Sequence, residues 1–317
     1  MKAALTSLLF LALLICHSCT NNAHAGAKTN LLEKSLQKYG EPEYLNMLWK
    51  NKTYNPPDTA SREKIRKVVE ELYSVIDRID AAKAKELASK LKGTGYRLKE
   101  YNGKQGHWLI LEADSNTKAG GGYYIFRLGK LETEIVIQAP HAIWDVHTDV
   151  ISKGIFNAFP IRAVYFSDFH RYGQKGKSPY KNSEFDLAHN PDTLFQDLTA
   201  AAAQKLHKAA FVQLHGYETR EKHEGVDFVL SPGTKENQGE WFMDAFYTFN
   251  RIYPPEKVRK YPDVRGLGAT SNVQGRLLRM LGCRFLHIEI TKEMRRTLKD
   301  NPAERDKLGK AIVDGLK

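Results

Sequence analysis

Histidines and carboxylates in this chain fall just beyond short apolar runs, and their types suit the binding of a divalent cation. The run ending at Gln138 leads into His141, Asp145, His147 and Asp149, and the run ending at Phe166 leads into Asp168, His170 and Arg171. The run ending at Leu214 gives His215 and Glu218, and the last run itself carries His287 and Glu289. One histidine after a strand is ordinarily a hydrogen-bonded structural residue; several meeting at one edge carry a different weight. Neutral imidazole and carboxylate are the ligands zinc takes outside cysteine sites, and a catalytic zinc uses three protein groups and leaves a position open for water. His141, Asp145 and His215 can supply that set. Two side chains four apart reach one ion if the segment makes a helical turn, because such positions share a helix face; His147 is the reserve ligand if it does not. Bound zinc lowers the pKa of water to about 7 and polarises a carbonyl. A carboxylate must then take the proton and pass it to the leaving amine. Glu289 suits that role, since it stands between Ile288 and Ile290, where a charge is costly unless it faces a polar site. Its alternative is an edge-strand glutamate facing solvent.

For these residues to converge, their strands must end at one side of a sheet, where open α/β folds gather their sites. The apolar runs at 108–111, 123–126, 134–138, 161–166, 210–214, 227–230 and 285–290 read as strands, with helical segments such as 192–208 between several of them. Gly120, Gly121 and Gly122 separate the first two runs, as in a hairpin or meander. The expected fold is therefore α/β, with a mostly parallel or mixed central sheet and helices on both faces. Residues 26–100 carry a helical pattern, clear at 62–73, where apolar positions recur three and four apart. Asp58 or Thr59, after Pro56 and Pro57, is placed to cap a helix. The glycine-rich stretch 265–276 lacks the ending of a phosphate-binding loop and reads either as a loop over the site or as an ordinary surface loop.

The 317 residues are 42% hydrophobic and 27% charged, which excludes a disordered or fibrous chain. Lys and Arg number 48 against 37 Asp and Glu, a formal charge of +11 that favours anionic partners without naming one. Residues 1–25 read as a cleaved export signal: Lys2, an apolar run at 5–16, then a polar stretch ending Ala23-His24-Ala25. The run is too short to span a bilayer, and lipidation at Cys19 is the alternative that would bring the chain to a membrane. The location expected is secreted or periplasmic. The division is then 1–25 signal, 26–100 helical region and 101–317 α/β domain. Of the three cysteines only Cys283 lies beyond the signal, so a cleaved chain forms no internal disulfide.

The order His141, Asp145, His215 and Glu289, over residues 134–297, resembles the zinc carboxypeptidase-like hydrolases, including N-formylglutamate amidohydrolases and related deacylases. In that family a histidine-plus-acid pair follows an early strand, a second histidine a central strand, and a glutamate base lies on a late one. Here the acid comes one place later than usual, with Trp144 at the ordinary position. Asp168 to Arg171 resembles the arginine region of the deacylase branch, and Asp186-Leu187-Ala188-His189-Asn190 resembles its Asp-Leu-Asn-Arg element with a changed ending. The resemblance implies Zn2+ as cofactor and a peptide or acylated amino acid as substrate. It implies Glu289, Arg171 and His189 as catalytic positions and Asn190 and Arg276 as substrate contacts. Arg171 and Arg276 are alternatives for forking onto a substrate carboxylate. Two other classes compete: a metal phosphoesterase, suggested by Asp145-Val146-His147 and the positive charge, and a non-enzymatic envelope protein holding an anionic polymer. Nucleic acid is not an expected partner, because the exported chain carries no recognisable binding motif.

Overall fold

Strands covered on both faces have no polar alternation, and Ile135–Ala139 and Ala163–Phe166 are buried at every position. The computed structural model describes residues 55–103, 106–114, 117, 120–172, 184–218, 224–236 and 238–317. The export-signal reading of residues 1–25, with Cys19, lies outside the described residues. The strands are β1 (Tyr96–Gly103), β2 (Gly106–Ala113), β3 (Tyr123–Arg127), β4 (Ile135–Ala139), β5 (Ala163–Phe166), β6 (Ala210–Tyr217), β7 (Phe228–Ser231), β8 (Val258–Lys260) and β9 (Arg284–Thr291). They form one sheet in the order β1-β2-β3-β5-β4-β6-β9-β7-β8. Its centre, β5-β4-β6-β9, is parallel. Antiparallel pairings attach β1, β2 and β3 on one side and β7 on the other, so the sheet is mixed.

The helices are α1 (Thr59–Val75), α2 (Ala81–Lys90), α3 (Thr148–Ala158), α4 (Leu194–Lys205), α5 (Glu240–Ile252), α6 (Val273–Met280), α7 (Lys292–Asp300) and α8 (Pro302–Gly315). Asp58 caps α1 by accepting from the Ser61 N–H, and Ile65, Val68, Val69 and Leu72 form its buried stripe. Helices α1, α2, α4 and α6 cover one face, packing on Tyr124, Phe126, Val136, Tyr165, Phe211 and Phe285. Helices α3, α5, α7 and α8 form the second layer, with α8 in contact with the other three. Because α3 follows β4 and α4 follows β5, the chain leaves these neighbouring strands toward opposite faces. That reversal opens a crevice at their carboxyl ends.

At the opposite end of the sheet, Arg162 is fully buried. Its Nε and Nη2 donate to Glu134 at 2.6 and 2.8 Å, Nη2 also donates to Asp77 at 2.8 Å, and Nη1 donates to the carbonyls of Arg127 and Gly129 at 2.8 and 2.9 Å. One side chain thus ties the segment after α1 to the ends of β3, β4 and β5. Arg162→Met keeps the volume but leaves the Glu134 carboxylate and two carbonyls without their donor, an error worth about 3–5 kcal/mol when a buried pair is broken. The expected result is a urea midpoint lowered to match; an unchanged midpoint would show that the cluster is structurally idle.

Candidate active site

Side chains two apart on a strand share a face, and β6 and β9 use this to change character along their length. Their register pairs Phe211 with Phe285, Gln213 with His287, and His215 with Glu289. The same face therefore runs from aromatic core, through amide and imidazole, to imidazole and carboxylate at the carboxyl ends. The segment after β4 meets it there. The N–H groups of Trp144 and Asp145 both donate to the His141 carbonyl, at 2.8 and 2.7 Å, so the segment makes the helical turn that four-residue spacing requires.

This turn brings His141, Asp145 and His215 together, all buried, with ligand atoms within 4.8 Å of one another. Asp145 Oδ2 lies 3.6 Å from His141 Nδ1 and 3.1 Å from His215 Nδ1. The protons are accounted for elsewhere. His141 Nε2 is 2.8 Å from Asp186 Oδ1, and a carboxylate only accepts, so that nitrogen carries the hydrogen. Burial works against the charge on Asp186, but His141, His189 and Arg171 outweigh it and hold the carboxyl far below the usual range. His215 Nε2 is 2.9 Å from the Gln213 carbonyl oxygen, which likewise only accepts. Burial lowers the pKa of His215 to about 4, leaving the ring neutral at pH 7. His215 Nδ1 is also within hydrogen-bond distance of the Asp145 carboxylate, at 3.1 Å, so the ring has an acceptor at each nitrogen; a hydrogen on Nε2 leaves Nδ1 as a ligand atom. His141 Nδ1 has no hydrogen-bond partner among the described residues. Two imidazoles and a carboxylate converging in a buried place are a donor set that fits a divalent cation once both rings carry their hydrogens on Nε2.

Glu289 completes a second, overlapping group with His215 and His287. Its Oε1 is 3.7 Å from His287 Nε2, and its Oε2 is buried without a partner among the described residues. Burial, reinforced by the charge of Asp145, raises the Glu289 carboxyl to about 8. Burial also drives the His287 imidazole well below its ordinary value. These groups line a cavity of about 230 Å³, flanked by Arg171 and His189 and walled on the far side by residues 266–272. The glycine-rich stretch is thus the roof of the site. It is pinned by Ser231 Oγ donating to the Gly268 carbonyl at 2.7 Å, and Gly268 lies against the Tyr261 ring, where an added Cβ would come within 2.4 Å.

The remaining positions separate. Arg171 and His189 reach the cavity and share Asp186, to which each donates. Asn190 is spent on its own turn, with Nδ2 donating to the Glu184 carbonyl and Oδ1 accepting from the Asp192 N–H. Arg276 is exposed on α6, and neither residue lines the cavity. His147 stands in a left-handed backbone conformation at the start of α3, with Lys299, Asp149 and Arg295 as its charged surroundings, and it lies outside the ligand cluster. Asp186, Gln213 and His287 were not singled out from the residues for the roles they take. The signal available for the last two was their place two residues before a site residue on the same strand face.

The two depressed histidines have a measurable consequence in metal-free protein. The unfolded chain protonates His215 near its ordinary 6.5 and the folded chain near 4, so between these values the unfolded state binds more protons. Stability is then lost as pH falls from about 6.5 to 4, by roughly 2–3 kcal/mol for this one group, with His287 adding in the same direction. Melting of chelator-treated protein across that range checks it, and a flat profile would show that the imidazoles are solvated.

No family model matches the sequence, and no curated protein matches it. Among solved structures, the chain is similar to a gene product of Agrobacterium tumefaciens, at 13% identity over 57% of this chain and 91% of that one, with a TM-score of 0.41. It is similar to a metallo-carboxypeptidase from Burkholderia cenocepacia at 12% identity, over 75% of this chain and 68% of that one, with a TM-score of 0.37. It is also similar to an aspartoacylase family protein from Mesorhizobium loti at 8% identity, over 68% of this chain and 70% of that one, with a TM-score of 0.41.

Proposed function

We propose that this chain is an exported, zinc-dependent hydrolase that cleaves an amide or peptide bond, of the carboxypeptidase or deacylase type. The observation that carries this reading is the meeting of His141 Nδ1, Asp145 Oδ2 and His215 Nδ1, three buried atoms of the kind that bind a metal, with the ligand atoms of these residues within 4.8 Å of one another. These three side chains would hold a zinc ion, which would supply Lewis-acid chemistry toward the scissile carbonyl and lower the pKa of water. Everything else falls to the protein's own side chains. Glu289 lines the same cavity, and its Oε2 is without a partner among the described residues; ionised beside a bound cation, its carboxylate would accept a proton and return it within one turnover. Arg171 brings a guanidinium to one flank, beside the His189 ring, where a substrate carboxylate or acyl oxygen would find it; Arg171 is the arginine of this role, since Arg276 does not line the cavity. Residues 266–272 form part of the wall, and a cavity of about 230 Å³ suits a small acyl or terminal residue. The finer substrate, a peptide C-terminus or an acylated amino acid such as an N-formyl amide, belongs to this proposal, as does export on residues 1–25.

Elemental analysis of the purified protein, run beside a panel of blocked and free amide substrates, tests the reading. One zinc per chain with amide turnover is expected. His141→Ala should bring bound zinc below about 0.1 per chain at micromolar protein, because two ligands remain of the three a catalytic site requires. Phosphate-ester turnover without amide turnover would favour the phosphoesterase class instead. Salt-sensitive polymer binding with no turnover would favour the envelope-binding class.

A further inference from the structure

We infer that Gln213 is a positioning residue: with the buried amides behind it, it locks His215 in the Nε2–H tautomer and so turns Nδ1 to the ion. The inference rests on the proposed metal site. It is carried by the directions of the hydrogen bonds, which can be worked out from the ends of the network, because a backbone carbonyl only accepts and a backbone N–H only donates.

Three chains of bonds converge on Gln213, each with such an end. The Phe195 carbonyl accepts from the Thr199 hydroxyl at 2.8 Å, so the Thr199 oxygen is left to accept from Gln138 Nε2, also at 2.8 Å. Gln138 therefore turns its oxygen to Gln213, which donates to it from Nε2 at 3.1 Å. Independently, the Leu187 carbonyl accepts from Gln274 Nε2 at 2.8 Å, leaving Gln274 Oε1 to accept from Gln213 Nε2 at 3.3 Å. In the third chain, Asn272 Oδ1 caps α6 by accepting from the Gly275 N–H at 2.8 Å, and Asn272 Nδ2 donates to Gln213 Oε1.

Each chain alone sets the Gln213 amide the same way round, with its oxygen toward His215 Nε2. A hydrogen on Nε2 satisfies that oxygen, and the lone pair is then on Nδ1, 3.1 Å from Asp145 Oδ2, which is the arrangement an ion between them requires. Gln138, Thr199, Gln213 and Gln274 are completely inaccessible, and Asn272 nearly so. Water cannot substitute for a lost partner here, and rotating any one amide would place like groups face to face along its whole chain. His141 obtains the same tautomer from the Asp186 carboxylate. His215 obtains it from a neutral amide, so this ligand is oriented without adding a second negative charge behind the site.

The test uses the full chain and two substitutions of similar length. Gln213→Met removes the acceptor, and Gln213→Glu keeps one. Zinc affinity by competition with a chromogenic chelator is expected to fall about 10–100-fold in Gln213→Met, the usual cost of losing a group that orients a metal-binding histidine, and to fall less in Gln213→Glu, which keeps an oxygen toward His215 while losing the donor to Gln138 and Gln274. Nitrogen-15 imidazole spectra of the metal-free protein should show His215 wholly as Nε2–H in wild type and as a mixture in Gln213→Met. A packing role alone would not move that signal. Equal zinc affinity in Gln213→Met and wild type, or an Nδ1–H tautomer in wild type, overturns the inference. The second readout stands even if Gln213→Met fails to fold. Wild-type protein that binds no zinc while showing the Nε2–H tautomer would instead sink the metal site and leave the amide network as described.

Discussion

Glu289→Gln is expected to lower amide turnover by about 10²–10⁴-fold, the range a positioned acid or base contributes, while bound zinc stays at the wild-type level. The substitution is nearly isosteric and removes only the capacity to take and return a proton at Oε2. His141, Asp145 and His215 form their cluster without it, so the ion has no reason to leave. The same variant makes a second, opposite prediction about stability. In the metal-free fold the Glu289 carboxyl is raised by burial to about 8 from an ordinary 4.5. Between those values the folded chain holds a proton that the unfolded chain has released, so wild-type stability falls as pH rises through this window and is level above it. Glutamine has no such slope. Metal-free Glu289→Gln should therefore match wild type near pH 4.5 and exceed it at pH 8.5 by roughly 2–4 kcal/mol. Denaturant titrations at the two pH values decide it, and superimposed curves at pH 8.5 would show that the carboxylate is hydrated rather than buried. Zinc should erase much of the difference, since a nearby cation favours the ionised form.

The site was legible in the sequence where chemistry and strand periodicity coincide. His215 and Glu289 close strands whose apolar pattern is plain, and their facing register follows once β6 and β9 pair in parallel. His141 and Asp145 were legible as a pair conditional on a helical turn, a local choice of backbone that residue types alone do not make after Pro140. Asp186 is the harder case. It comes from a segment 45 residues after His141, and a carboxylate that orients a ligand looks in sequence like any other acid. Gln213 hides for the same reason, as a polar residue in a strand interior whose partners lie on β4 and α6. The helical pattern closes near residue 95, where Gly93, Gly95 and Gly103 mark the change to strands, and β1 follows there, with Tyr96 and Leu98 alternating with Arg97 and Lys99 as a strand with one buried face does. The three-residue β8 is too short to show a period. Asn190 is implied by the resemblance of residues 186–190 to a family element, and Arg276 by its capacity to fork onto a carboxylate. Their side chains are set apart from the cavity by a turn bond in one case and by the outer face of a short helix in the other.

Asp186→Asn should separate charge from geometry behind the first ligand. In wild type this buried carboxylate accepts from His141 Nε2 and His189 Nδ1 and pairs with Arg171, so one negative charge serves three donors on the rim of the cavity. Asparagine offers one oxygen in place of two. If that oxygen faces His141, the Nε2–H tautomer survives, but Arg171 loses its counter-charge and is freed toward the cavity. If the amide NH2 faces His141 instead, the ring must move its hydrogen to Nδ1, the atom that meets the ion. Either arrangement weakens the imidazole as a donor to metal, since an amide polarises an N–H less than a carboxylate does. Zinc affinity is expected to fall about 10–100-fold. Turnover at saturating zinc should fall as well, because Arg171 and the His189 ring are no longer held by Asp186 at the flank of the cavity. Chelator competition and steady-state kinetics at two zinc concentrations distinguish the two losses. Wild-type affinity together with wild-type turnover would mean that His141 is oriented by packing alone, and the proton accounting that assigns Nδ1 to the ion would have to be abandoned.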